Sequence, residues 1–528
     1  MIDTSEVLKA DVLVVGAGPA GSTYARFLCQ NGRKVLLMDA GEQIGPRPGV
    51  HLKNLYANQR QMRRFDRRIQ SSLYPISVSP SVTGASKFDS KTGHTCVGPG
   101  NGINPNQNAE RNLDGACAAY FVGGMALLWT CAIPRHHPTM ERIEFISTQE
   151  WETLYGIAEF LLNKHTNVYE RSVRNTLVRD ALANHYSSLE PAYGVQNLPL
   201  AAERSSTNTD CVYFTGTDRI LSPVIDSEKG SVRSLLTILP RHQVRRLHVY
   251  GGRVEYAEAY DSTRRSKLKV HADIFVVAAG TVMSAQLLWV SGLRLPALGR
   301  YMIEHPLATT QVVLSRNLVD SIPNDSRFAH QLTGLDARDS IPIPPDDPPP
   351  SIWIPVSTGR PWHCQVYRGN CAAPEEIDER LVVDFRWFAS TEPRRDNRVH
   401  FSDDFNNEFG MPQPTFEFQF SEGDSQRMHD MMADMIAAAQ VLGTIAPGGQ
   451  PRFMPSGRCL HIQGTCRMGK TDDGETVVDP NSKVWGVDNL YIGGNSVIPT
   501  ANACNPTLTN VALATKSAWS ILGRPMQS

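Results

Sequence analysis

The chain has 528 residues, long enough for two or more domains with sizeable cores. Its 52 basic and 53 acidic side chains nearly cancel to a net charge of −1, so neither nucleic acid nor an anionic membrane surface is expected as a partner. Residues 1–9 are polar, without an apolar leader, and no run of about 18 apolar residues follows, which predicts a cytoplasmic protein with no signal peptide and no membrane span.

Ten cysteines are scattered without a C-x-x-C pair, which argues against a zinc ribbon or a disulfide scaffold and fits a reducing compartment. Residues 11–39 set the organisation. An apolar β-branched run at 11–15 breaks into Gly16-Ala17-Gly18-Pro19-Ala20-Gly21. Ala20, Tyr24, Phe27 and Leu28 then share one face of a predicted helix that Gly32 can end, and a second buried run at 35–38 closes on Asp39. Each part suits a dinucleotide. Gly16 allows a tight turn, Gly18 removes a side chain that would hold a pyrophosphate off the backbone, and Gly21 lets helix and strand pack closely. The phosphates would meet the positive end of the helix, and Asp39, 23 residues after Gly16, is spaced to accept ribose hydroxyls.

Residues 44–67 are basic, with His51, Lys53, Arg60, Arg63, Arg64 and Arg67, and read as a solvated face or as cofactor contacts. Residues 71–100, rich in Ser, Pro, Thr and Gly, read as a long loop or arm. In the following segment Gly123 and Gly124 are candidates for close backbone approach to the cofactor, and Thr130 offers a hydroxyl. His136-His137 lacks a second ligand spacing, so no metal is expected. Helices are predicted over 151–162 and 173–185, and a hairpin over 245–270 with GGRV at its turn. A third buried strand, 272–278, ends in Ala279-Gly280 and runs into a helix at 282–290, so Gly280 again suits backbone packed against a cofactor.

Residues 341–350, IPIPPDDPPP, are expected to be a surface excursion. Four alternating runs between 352 and 420 (WHCQVY, RLVVDFRWF, NRVHFS, PTFEFQF) predict a mostly antiparallel sheet forming a separate substrate wall. Met428, Met431, Met432, Met435 and Leu442 make a helical stripe, read as core. A fourth strand at 489–492 ends in Gly493-Gly494, and Asn505-Pro506 opens a last helix. By residue type alone Asn505 could be only a helix cap and His461 only a core histidine.

Five motifs taken together carry more: VVGAGPAGS at 14–22, VGGM with WTCAIPR at 122–135, AAG at 278–280, the H-x-x-GT-x-RMG run from His461, and NPTLT at 505–509. The chain resembles the glucose–methanol–choline (GMC) family of flavin oxidoreductases, and within it the branch that oxidises pyranose sugars. The likeness runs nearly end to end and includes RLVVDFRWFASTEP and FSDDFNNEFGMPQPTFEFQF. The resemblance implies FAD across the dinucleotide fold. It implies a catalytic base at His461 with Asn505 as its partner, and sugar contacts at Gln365 and Arg386. It also implies a hydroxyl near the flavin at Thr130, with further cofactor contacts at Val244, Gly280, Gly494 and Thr507. A histidine at neutral pH suits the base, having an ordinary pKa of about 6.5.

Two departures stand out. The family's flavin-attaching histidine falls at Leu128, so FAD is expected to be held non-covalently, with Cys131 and His136 the nearest other side chains that could reach it. The loop after Gln365 is short, and Gly369 stands where an acidic sugar contact is usual, which predicts more room for bulky glycosides.

The expected architecture is an α/β FAD-binding (Rossmann-like) domain with an α+β substrate domain built on a mostly antiparallel sheet. Residues 1–150 hold the first part of the FAD domain, and 151–310 a helical segment followed by its second part. The substrate domain is assigned to 311–450, and 451–528 to the catalytic segment with the last of the FAD domain. The expected reaction is oxidation of a secondary ring hydroxyl, at C2 or C3, of a pyranose sugar or glycoside, with O₂ reduced to H₂O₂. A quinone acceptor, or a flavin-binding protein without turnover, are the alternatives. An oligomer is possible but not implied.

Overall fold

Two seven-stranded sheets carry the fold, one mostly parallel and one antiparallel. The computed structural model describes residues 6–54, 65, 69, 72–80, 102–206, 211–228, 231–336, 338–367 and 376–524.

The parallel sheet grows from the opening strand, Glu6–Val15, which pairs with Val35–Met38 on one side and Ser266–Val277 on the other. The core ends of these strands are buried runs of Val, Leu, Met and Phe, as a parallel sheet covered on both faces requires. Leu236–Leu239 extends the sheet beyond Val35–Met38, and Leu490–Ile492 extends it beyond Phe275–Val277. The strand at 236–239 is not among the predicted elements. Its apolar run before Pro240 was the strand signal. The expected hairpin is present as His242–Tyr250 and Arg253–Asp261, turning at Gly251 and Gly252, both with positive φ.

The antiparallel sheet joins Leu307–Leu314, Val382–Ala389, Trp362–Tyr367 and Ser351–Ile354, with Gln196–Asn197 at one edge. Side chains alternate across it. Phe385, Trp387, Cys364 and Val366 point into a core shared with the helices Val173–His185 and Glu422–Leu442, where Met431, Met435 and Leu442 of the methionine stripe are buried.

Three expectations need correction. The runs at 398–400 and 415–417 pair only with each other, and Val399, Phe401, Phe416 and Phe418 pack into the core of the parallel sheet. Conversely, Val173–His185, assigned by sequence outside the 311–450 substrate domain, packs on the antiparallel sheet. The Pro-rich piece at 341–350 is not a surface excursion. Ile341 and Ile343 enter the same core, and Asp347 accepts from the N–H of Val173 (2.7 Å) and from Arg174 Nε (2.9 Å), anchoring the first turn of that helix. The Asp347 carboxylate takes the first N–H groups of that helix, those of Val173 and Arg174, while Ser172 Oγ takes that of Asn175.

Cys117 is disulfide-bonded, against the expectation of reduced thiols. The other cysteines among the described residues are free. No helix among the described residues is long and apolar enough to cross a membrane.

Candidate active site

Parallel register brings the strand ends level. Met38 lies beside Val15, Val15 beside Val277, and Val277 beside Ile492. Asp39, Gly16, the Ala278–Gly280 turn and Gly493-Gly494 therefore crowd one carboxyl edge, where open parallel sheets bind ligands. The glycines there divide by role. A Cβ on Gly16 would lie 2.4 Å from the Ala278 carbonyl oxygen and one on Gly21 would lie 1.9 Å from that of Gly16, so both are demanded by packing. A Cβ on Gly18 would meet nothing within 4 Å. Gly124 faces it across this space, its Cβ direction ending 3.7 Å from Gly18 Cα, whereas Gly123 packs against Leu127 and Gly49. A cradle of bare backbone at the start of helix Pro19–Gln30 fits a pyrophosphate. Gly280 and Gly494, with φ of 86° and 110°, are equally open, and each precedes a helical turn.

Asp39 is half-buried, its oxygens accepting from the N–H groups of Ala17 and Gly41 (2.8 Å each). Burial pushes its carboxyl up to about 6, against those two donors. The His242 N–H donates to the Asp39 carbonyl (2.9 Å), which brings the strand carrying Val244 beside it. The Val244 side chain itself is in the core. Thr507 is the first residue of the last helix, half-buried, and Thr130 is exposed. Of the basic stretch, His51 is fully buried with Nε2 on the Trp129 carbonyl (3.0 Å), and Lys53 lies over the rings of Phe65 and Phe214. Arg60, Arg63, Arg64 and Arg67 lie outside the described residues, as do Gly369 and residues 81–100 of the expected arm.

The second half of the site faces the antiparallel sheet. Gln365 and Arg386 are directly opposed across two strands, as are His363 and Phe388, so these four share the face turned away from the sheet's own core. Phe388 lies between His363 (4.9 Å) and His461 (5.5 Å), stacked on both. Arg386 lies over the ring of Tyr367 at 4.5 Å. Asn505 does not cap the last helix. Pro506 takes that position, and the Asn505 carboxamide turns instead to His461 and Gln365. Its Oδ1 accepts from Gln365 Nε2 (2.6 Å) and its Nδ2 lies 3.3 Å from His461 Nε2. The four residues named by sequence as catalytic or substrate-contacting thus meet at one place.

His461 departs from the ordinary histidine range. Burial, and then the charges of His305, His363 and Arg386, hold its pKa well below that range. The neutral form of the ring is therefore favoured.

Five residues that the sequence reading missed build the walls of this site. Ile303 and Gln463 exchange backbone hydrogen bonds, which sets Glu304 and His305 against 459–461. His305 Nδ1 is 3.1 Å from His461 Nδ1, and His305 Nε2 is 2.9 Å from Asn502 Oδ1. Glu304 is fully buried and accepts from the Cys459 thiol (2.9 Å) and from the N–H groups of Leu460 and His461. Burial pushes its carboxyl up to about 8 against these donors. Leu460 is held there at φ 61°, a strained conformation immediately before the histidine. Glu141 does the corresponding work for Asn505. It accepts from the N–H groups of Ala503 (2.6 Å), Cys504 (3.1 Å) and His137 (2.6 Å). Burial alone would raise its pKa, but neighbouring His136 and these donors hold it below the usual carboxylate range. The signal available for Glu304 and His305 was a charged pair inside the apolar run YMIEHPLA. Nothing in the sequence marked Asn502, Gln463 or Glu141.

Among the described residues, His305, Cys459 and His461 are the one group of metal-type donors, within 4.8 Å of one another, but they are hydrogen-bonded within the protein. Leu128 is buried in a cluster with Leu52, Phe65 and Leu127, against which Leu460 also packs. Cys131 is fully buried, its thiol turned to the Thr215 carbonyl and its pKa pushed up by burial. His136 is buried beside Glu141.

Comparison with known proteins agrees in fold. Residues 393–514 match the GMC oxidoreductase family model, and residues 14–49 match an NAD(P)-binding Rossmann-like domain. The chain is 37% identical to a pyranose 2-oxidase of Tricholoma matsutake, over 97% of this chain and 93% of that one. It is 31% identical to a C-glycoside 3-oxidase of Microbacterium trichothecenolyticum, over 97% of this chain and 96% of that one. The structure of an Aspergillus oryzae formate oxidase superposes with a TM-score of 0.66 at 15% identity, covering 98% of this chain and 99% of that one.

Proposed function

The chain belongs to the GMC oxidoreductase family, and on that premise we propose that it oxidises a secondary ring hydroxyl, at C2 or C3, of a pyranose sugar or glycoside to the keto-sugar. The observation that carries this reading is the convergence of His461, Asn505 and Gln365 in one hydrogen-bonded row, with Arg386 beside it. FAD, when bound, supplies the two-electron acceptor for the hydride that leaves the ring carbon. The chain's own residues do the rest. Gln365 and Arg386 offer polar groups that orient a sugar. Asn505 Nδ2 donates to the substrate oxygen as negative charge grows on it. His461 Nε2 accepts the hydroxyl proton. The two electrons and two protons removed from the alcohol then pass to O₂ as H₂O₂.

FAD is held without a covalent bond in this reading. Leu128 offers only hydrocarbon at the family's attachment position, and Cys131 and His136 are turned into the core. Acid precipitation of the yellow protein should leave the colour in the supernatant. Colour retained in the washed pellet would overturn this part.

The test of function is an anaerobic screen of free sugars, O-glycosides and C-glycosides, scored by bleaching of the flavin, followed by NMR location of the new carbonyl. Reoxidation by O₂ compared with benzoquinone then identifies the acceptor. Bleaching by at least one sugar or glycoside is expected. A flavin that no member of the panel bleaches would favour a binding protein without turnover and would sink the proposal.

A further inference from the structure

We propose that His305 is a positioning residue that fixes which nitrogen of His461 carries the proton, so that the ring presents its lone pair to the substrate. This rests on the reading of His461 as the base. The argument is a donor and acceptor account that starts at the far end of the row. Asn502 Nδ2 donates to the Thr500 carbonyl (2.8 Å) and to Gln463 Oε1 (3.0 Å). A backbone carbonyl can only accept, so the Asn502 amide has one orientation and its Oδ1 faces His305 Nε2 at 2.9 Å. An amide oxygen also only accepts, so His305 Nε2 bears a hydrogen. Gln463 Nε2 donates one of its two hydrogens to Asn502 Oδ1 (3.0 Å) and lies 3.1 Å from the same His305 nitrogen, a longer contact than the 2.9 Å to Asn502 Oδ1 that sets the hydrogen on Nε2.

His305 is 2% exposed, and burial followed by the charge of His363 lowers its pKa to about 3, so the ring is neutral. With its hydrogen on Nε2, its Nδ1 is a bare lone pair. His461 Nδ1, 3.1 Å away, must then be the donor. The second nitrogen of His461, Nε2, is left as the acceptor, and it is this nitrogen that lies 3.3 Å from Asn505 Nδ2. Asn505 Oδ1 accepts from Gln365 Nε2, which leaves Nδ2 as the group toward that nitrogen. The contacts at this end of the row are compatible with the proton arrangement set from Asn502. Asn502 cannot take a proton, so the row ends there as a support and not as a relay.

Without the His305 acceptor, His461 would lose its preference for a hydrogen on Nδ1, and part of the population would turn an N–H toward the substrate hydroxyl. In a Ser-His-Asp triad, loss of the group that sets the tautomer costs about 10⁴ in rate. The groups facing this pair are Arg386, His363, Glu304 with Cys459, and, behind His305, Glu141 with His136. Among the described residues, the group hydrogen-bonded to His461 Nδ1 is His305 Nδ1.

The experiment compares His305→Met with His305→Gln in FAD-loaded full-length enzyme, measuring anaerobic flavin reduction by a sugar that bleaches the wild type. Gln can place Oε1 at His461 Nδ1–H while its Nε2 donates to Asn502, and Met fills similar space without an acceptor of that strength. His305→Met is expected to lower the limiting reduction rate roughly 10²-fold or more, with sugar affinity changed less than about tenfold. His305→Gln is expected to stay within about tenfold of wild type. Equal loss in both at equal flavin content and melting temperature would overturn the proposal, as would wild-type reduction by His305→Met. If His305→Met does not accumulate as folded yellow protein, His305→Gln still decides. A folded His305→Gln slowed more than about 10²-fold sinks it, and one near wild type supports it. His461→Ala separates the two readings. Should that variant keep its rate, the base assignment fails; should it lose rate while His305→Met does not, only the present inference fails.

Discussion

At the carboxyl edge of the parallel sheet the ligand-facing surface is backbone, shaped by glycines. Around His461 it is side chain, gathered from segments near 141, 304, 365, 386, 461 and 505. The two regions answer differently to substitution. A backbone cradle has no functional group to lose, and a Cβ there meets either packed backbone, as at Gly21, or the space left for a ligand, as at Gly18, whereas a side-chain row is defined by where each hydrogen sits. Cofactor retention and chemistry should therefore be separable by mutation.

The strongest break comes from the side-chain region. His461→Ala is expected to retain FAD and to lose roughly 10²–10⁴ in flavin reduction, the usual contribution of a positioned acid–base group. Stopped-flow reduction at saturating sugar checks this, and a rate within about tenfold of wild type would remove His461 from its role.

The glycines offer a paired comparison. Gly21→Ala would place a methyl carbon 1.9 Å from the Gly16 carbonyl oxygen. Such overpacking costs about 1–3 kcal/mol and should lower the melting temperature even without FAD. Gly18→Ala meets no protein atom within 4 Å, so the apoprotein should melt as wild type while binding FAD more weakly. Thermal scans with and without added FAD read both effects. Identical behaviour of the two variants would show that the glycines do not divide into packing and ligand roles.

The smallest expected effect is a shift along the pH axis. Because burial and neighbouring positive charge lower the pKa of His461, the acid limb of flavin reduction by free enzyme should lie below the ordinary histidine value of about 6.5. The Arg386 guanidinium disfavours the protonated ring, so Arg386→Leu should raise the His461 pKa and move that limb to higher pH. A limb unmoved in Arg386→Leu, measured as kcat/KM against pH, would place the charge elsewhere.

The same contrast decides what could be read from the chain. The backbone cradle was legible because strand, glycine turn, helix and acid are neighbours in sequence, and each glycine states a local constraint. His461, Asn505, Gln365 and Arg386 were found through resemblance, because nothing local distinguishes Asn505 from a helix cap. Glu141 carried no mark, and Glu304 only its place in an apolar run. Their partners are backbone N–H groups, which every residue offers, and their distance along the chain removes any pattern. The swap at 398–418 has a related cause. An alternating run announces a strand but not the sheet it joins, and Val399 and Phe416 carry no mark of which core they enter.

Glu304 and His305 meet Cys459 and His461 across 155 and 156 residues, and Glu141 meets Ala503 across 362. During synthesis Glu304 and His305 are made long before these partners, and Glu141 has at first only the nearby His137 N–H. Contacts of such range carry a loop-closure cost before they give any return, so they form late. A nascent chain that has completed both large helices on the antiparallel sheet still lacks Leu490–Ile492 at the edge of the parallel one, and with it a finished crevice. A chain arrested between residues 461 and 505 would have both large helices of the antiparallel sheet but would lack Asn505, the partner of His461 in the proposed site.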